Sequence, residues 1–94
     1  MKVIIFGTSD FAKQVAFYIS QSKEYELAYF CLNKRYYVES EFMDKKILIF
    51  EDDLDNLPKA DYSFIIAVGY KQMRVRKKIF EMIKRRGFNL INYI

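Results

Sequence analysis

Histidine and tryptophan are absent from this 94-residue sequence, and cysteine and proline occur once each. Without histidine there is no imidazole acid–base catalysis in the chain, and most zinc centres are excluded. The single thiol, Cys31, cannot close an internal disulfide. It sits in an apolar run, where a reduced, buried group is expected. Three glycines and one proline leave little material for linkers or loop-rich folds. No apolar run approaches the ~20 residues of a membrane span, and Met1-Lys2-Val3 passes straight into an apolar segment. Neither a signal peptide nor a transmembrane segment is expected, and a cytoplasmic location follows by default. Paired carboxylates, a Ser/His/Asp set and a Cys/His cluster are all missing, so no catalytic residue and no metal site is expected in this chain.

What is present is apolar and aromatic. Hydrophobic residues make up 52% of the chain and include nine Phe and eight Tyr, a composition that folds rather than stays disordered. The formal net charge of +4 is unevenly spread. Arg74, Arg76, Lys77, Lys78, Lys84, Arg85 and Arg86 crowd one stretch against Glu81 alone, whereas Glu51, Asp52, Asp53, Asp55 and Asp61 crowd another. The basic stretch raises the possibility of nucleic-acid binding. Its cations alternate with an apolar face, as on any solvated amphipathic helix, so no nucleic-acid partner is expected.

The hydrophobic pattern changes period along the chain. Lys2–Phe6 is a near-continuous apolar run ended by Gly7, which suits a strand covered on both faces. Thr8, Ser9 and Asp10 are N-cap residue types, and Ala12, Val15, Ala16 and Ile19 then mark one face of a helix over about 10–22. Glu26–Cys31 reads as a second strand, giving a right-handed βαβ unit. The polar and aromatic stretch 33–44 has no clear period and is expected to be a loop or short helix. Lys46–Phe50 suggests a short strand, 51–57 a short acidic turn or helix stopped by Pro58, and Tyr62–Val68 a buried strand ended by Gly69. A helix is expected over 73–86 with Val75, Ile79, Met82 and Ile83 inward and Gly87 as its C-cap, before a last strand over 88–94. The alternation of about five strands with two or three helices predicts one small α/β domain over 1–94. Its fold is Rossmann-like: an open, mostly parallel sheet with helices on both faces.

In such a sheet ligands bind at the carboxyl ends of the strands. The first turn, Gly7-Thr8-Ser9-Asp10-Phe11-Ala12, offers an anion the free N–H groups of a helix start. It departs from the dinucleotide pattern G-x-G-x-x-G: Ser9 and Ala12 replace the second and third glycines, and Asp10 opposes an anion. The acid that would hold a ribose some twenty residues on is replaced by Phe30 or Cys31. A nicotinamide dinucleotide is therefore not expected. The second candidate is Gly69-Tyr70. If its strand neighbours the first, Gly7 and Gly69 face one crevice where Tyr70 stacks on a base and Arg74 or Arg76 meets phosphate.

Residues 1–15, Phe64–Tyr70, Arg76–Phe80 and Gly87–Ile94 together resemble the N-terminal domain of bacterial sugar O-/N-acyltransferases. These are the sialic-acid O-acetyltransferase-like enzymes and those acting on UDP- or dTDP-amino sugars. The resemblance implies a cytoplasmic domain that holds a nucleotide-activated sugar for cell-surface polysaccharide synthesis. It also implies a following left-handed β-helix that binds acetyl-CoA, carries the catalytic histidine and forms a homotrimer. This chain stops where relatives cross into that β-helix, which implies a substrate-binding domain without an active site or cofactor of its own. By the same resemblance Gly7, Thr8 and Ser9 approach sugar and diphosphate, and Phe11 stands where many members have histidine. Gly69 and Tyr70 match the turn after the later strand, Arg76 matches the arginine opening the next helix, and Asn33 is left to contact base or ribose. Leu32-Asn33-Lys34 replaces acidic residues common in relatives. A ligand-free structural or interaction module derived from that domain is the alternative reading.

Overall fold

The computed structural model describes residues 1–68 and 73–91. Its elements, in chain order, are strand β1 (Lys2–Phe6), helix α1 (Asp10–Gln21), strand β2 (Glu26–Leu32), strand β3 (Glu41–Phe42) and strand β4 (Lys45–Ile49). The single-turn helix α2 (Phe50–Asp53), strand β5 (Tyr62–Ile66), helix α3 (Met73–Arg85) and strand β6 (Asn89–Leu90) follow. Short 3-10 turns at Lys34–Tyr36 and Lys59–Asp61 lead into the hairpin and into β5.

The strands form one sheet in the order β3-β4-β2-β1-β5-β6, parallel except for the antiparallel edge strand β3. The architecture is thus a small Rossmann-like open α/β fold, with β1 at its centre between β2 and β5. The chain runs outward from β1 through β2 to one edge, then returns across β1 to build β5 and β6 on the other side. The order reverses between β1 and β5, which makes that the switch point where such sheets bind ligands.

The continuous apolar run of β1 is explained by its two covered faces. Val3 and Ile5 pack with Ala12, Val15, Ala16 and Ile19 of α1, whereas Ile4 and Phe6 pack with Leu54 beyond α2 and with Ile79 and Ile83 of α3. A strand buried on both sides has no polar face to alternate with. On the α3 side Phe64 and Phe88 meet edge to face with centroids 5.2 Å apart. Helix α3 ends in a Schellman motif: Phe88 N–H donates to the Ile83 carbonyl at 3.3 Å and Gly87 N–H to the Lys84 carbonyl at 3.0 Å. Gly87 has φ +88°, the left-handed conformation that position needs.

Two expectations are corrected. The stretch 33–44, read as loop or short helix, also contains β3, so the sheet has six strands rather than five. The β3–β4 connection is the two-residue turn Met43-Asp44, with φ +50° and +64°. Its sequence lacks the Asn-Gly or Asp-Gly pair that usually marks such a hairpin. Val75 is 47% exposed instead of facing inward, because α3 meets the core through Ile79 and Ile83 in its later turns and Val75 lies in the first. Of the last strand expected over 88–94, the described residues place Asn89–Leu90 in β6; 92–94 lie outside them.

Candidate functional site

The candidate residues of the first turn gather at the carboxyl end of β1, beside the switch point. Gly7 closes the strand there. Its N–H donates to the Cys31 carbonyl at 3.0 Å, while Ala67 N–H donates to the Phe6 carbonyl at 2.9 Å, so β2 and β5 grip the turn from both sides. Gly7 has φ +125°, and a Cβ there would lie 2.7 Å from the Ala67 carbonyl oxygen. Glycine is required by this crowding whether or not a ligand binds.

Ser9 occupies the N-cap of α1 in extended conformation, but its side chain makes no cap hydrogen bond. The first-turn N–H groups, carrying the positive end of the helix dipole, therefore lack the side-chain acceptor that serine usually supplies. Asp10, with a fully solvated carboxylate, leans toward Lys13 at 3.8 Å, an exposed pair of little energetic weight. Phe11 is half-buried and packs against the α1-side core, so it anchors the helix.

Thr8 lines a cavity of about 360 Å³ with Leu32, Tyr36, Val38, Glu39, Phe42 and Ile47. The β3–β4 hairpin forms its outer wall. Phe42 is held edge-on to Phe30 with centroids 4.8 Å apart, and Lys13 Nζ lies 5.9 Å from the Phe42 centroid. Tyr36 is 58% exposed with the Arg35 guanidinium 5.2 Å from its ring. The volume falls within the range of small-molecule pockets, and its walls combine apolar side chains with a few polar ones. Tyr36, Val38, Glu39 and Phe42 were missed in the sequence because they belong to the one stretch with no periodicity. Their only signal was an unusual density of aromatics in a polar segment.

Asn33 is tied to α2. Its Nδ2 donates to Glu51 Oε2 at 3.4 Å, and the Lys34 backbone N–H donates to Glu51 Oε1 at 2.9 Å. Lys34 Nζ pairs with Asp52 at 3.3 Å, and the Ile49 N–H donates to Asp53 Oδ2 at 2.7 Å at the start of α2. The acidic stretch thus fastens α2 to the end of β2. It also brings Glu51 to the place where the sequence itself has no acid, a neighbour that residue spacing could not reveal. Cys31, two residues before Asn33, is buried; burial first and then the Glu51 and Asp53 carboxylates raise its pKa, against a smaller lowering by Arg86. A thiol held protonated in this way is not a nucleophile.

Arg76 donates from Nη1 to the Val68 carbonyl at 3.4 Å. It lines a different cavity, of about 470 Å³, with Ile66, Met73, Phe80, Leu90 and Ile91 on the α3 side of the sheet. Arg74 lines this cavity too. Gly69 and Tyr70 lie outside the described residues. Among the described residues there is no cluster of three metal-ligating side chains, and no helix is long and apolar enough to cross a membrane.

Two comparisons with known proteins found nothing: no curated protein and no solved structure matches the chain. The family model for the PglD N-terminal domain matches it over residues 2–83.

Proposed function

The chain belongs to the PglD N-terminal domain family, the amino-terminal domain of sugar acetyltransferases, and from that premise we propose that it binds a nucleotide-activated sugar. The ligand class is a UDP- or dTDP-sugar on the route to cell-surface polysaccharide. The diphosphate lies against the start of α1, where the first-turn N–H groups and the uncapped Ser9 hydroxyl donate to it. The pyrimidine enters the cavity beside Thr8 and rests on Tyr36, and the ribose lies over the end of β2 near Asn33 and Glu51. Gly7 keeps the turn tight enough for that approach.

The observation that carries this reading is the adjacency of an uncapped helix N-terminus and an aromatic-walled cavity through one residue, Thr8. Acetyl-CoA, the acceptor chemistry and trimer formation belong, in this proposal, to a partner β-helix rather than to these residues. The chain works in the cytoplasm, where nucleotide sugars are made.

Isothermal titration of the purified chain with UDP- and dTDP-amino sugars tests the reading, with the free monosaccharides as controls. Binding of the nucleotide forms alone is expected. Tyr36→Ala is expected to weaken it by about 1–3 kcal/mol, the loss of one base–aromatic stack, while leaving the melting temperature unchanged. Absence of heat at ~1 mM ligand would favour a ligand-free interaction module instead.

A further inference from the structure

The cavity of about 470 Å³ between the first half of α3 and the ends of β5 and β6 is not used by the nucleotide sugar as placed above. Its floor is apolar: Ile66, Phe80, Leu90 and Ile91, together with Met73. Met73 is 65% exposed and Phe80 44% exposed, so two large apolar side chains stand against space that the fold leaves unfilled. The volume falls within the range of small-molecule pockets.

Among the described residues, every polar side chain on this wall is a cation: Arg74, Arg76 and Lys77. No carboxylate, amide or hydroxyl side chain joins them. Arg74 and Lys77 make no ion pair or hydrogen bond among the described residues. Arg76 spends one Nη1 donor on the Val68 carbonyl at 3.4 Å and keeps the rest of its guanidinium fork. The placement also works against the helix. Arg74 and Arg76 sit in the first turn of α3, which has no acid, at the positive end of the helix dipole. The fold alone gains nothing from cations there.

Such a wall selects by chemistry. A nucleobase, a sugar or a peptide brings neutral donors and acceptors, and no neutral polar side chain stands here to meet them. The matching ligand has an apolar body and one anionic head. We propose that this cavity binds a soluble, single-chain anionic amphiphile, an alkyl chain ending in a phosphate or carboxylate. The chain lies on Ile66, Phe80, Leu90 and Ile91, and Arg74, Arg76 and Lys77 meet the head. Arginine forks suit either oxyanion. The methylene stems of the three cations extend the apolar wall while their charged ends stay in water.

Isothermal titration of the intact chain with octyl phosphate, below its micelle-forming concentration, tests the site. Saturable binding at one site per chain is expected. Octanol has the chain without the charge and inorganic phosphate the head without the chain, so each should bind many-fold more weakly. Each buried methylene is worth roughly fourfold in affinity, so octyl phosphate should bind about tenfold tighter than hexyl phosphate. Arg74→Glu should weaken binding several-fold without lowering the melting temperature, because an acid in the first turn suits the dipole. Lys77→Gln should weaken it in the same direction. Lys78→Glu changes the net charge as Arg74→Glu does, but at a position outside the cavity wall, and should leave the affinity unchanged. The proposal is overturned by no saturable heat up to ~1 mM octyl phosphate, by equal binding of octanol, by no gain from hexyl to octyl, or by equal losses in Arg74→Glu and Lys78→Glu. It is also overturned if octyl phosphate fails to bind while vesicles of anionic phospholipid sediment the chain, which would make this face of α3 a membrane contact.

Discussion

At the scale of single residues, the first turn separates what the fold needs from what a ligand would use. Gly7 is fixed by the Ala67 carbonyl oxygen 2.7 Å from its missing Cβ and by its positive φ. Gly7→Val is expected to unfold the chain or to destabilise it by more than the ~1–3 kcal/mol of backbone strain alone, as read by urea denaturation. It is therefore a stability variant and says nothing about binding. Cys31 gives a second residue-level expectation. Its pKa is raised above the ordinary 9.0, chiefly by burial, so the folded state keeps a proton that the unfolded state releases in alkali. Stability from this group is intact below about pH 9 and falls as pH rises further, because the unfolded chain then binds fewer protons than the folded one. Between about pH 8 and about pH 10 the wild type should lose about 1.4 kcal/mol more than Cys31→Ala, measured by urea unfolding of both. The same thiol should resist alkylation until the chain unfolds.

At the scale of elements, legibility followed periodicity. The strand Lys2–Phe6, the helix from Asp10 and the Schellman end at Gly87 are visible in the sequence because each has its own period or its own obligatory residue. The β3–β4 hairpin was not, because Met43-Asp44 adopts a left-handed turn without the residues that favour one. Two consecutive non-glycine residues at positive φ are strained, at roughly 1–2 kcal/mol each. Met43→Asn with Asp44→Gly should relieve part of that cost and raise the melting temperature by several degrees, about 4–8 °C per kcal/mol for a domain of this size. No rise would mean that the turn is held by contacts of Met43 or Asp44 instead. The wall that this hairpin adds to the Thr8 cavity was hidden for the same reason.

At the scale of the whole molecule, the alternation of strands and helices was enough to give an open parallel sheet, and the family match over residues 2–83 agrees with it. The site was legible only in part. Spacing placed Thr8 and Ser9 at the head of α1, but it could not show that Asn33 turns to Glu51 or that Arg76 reaches the Val68 carbonyl. Both depend on which element packs against a strand end, and that is decided by long-range topology. The central claim is that a nucleotide sugar lies across the heads of β1 and β2. The most direct test is a two-dimensional amide NMR titration of the intact chain with a UDP- or dTDP-amino sugar. Saturable shifts confined to residues 7–11 and 32–42 are the expected result; no shifts at ~1 mM ligand, or shifts centred on α3, would contradict it.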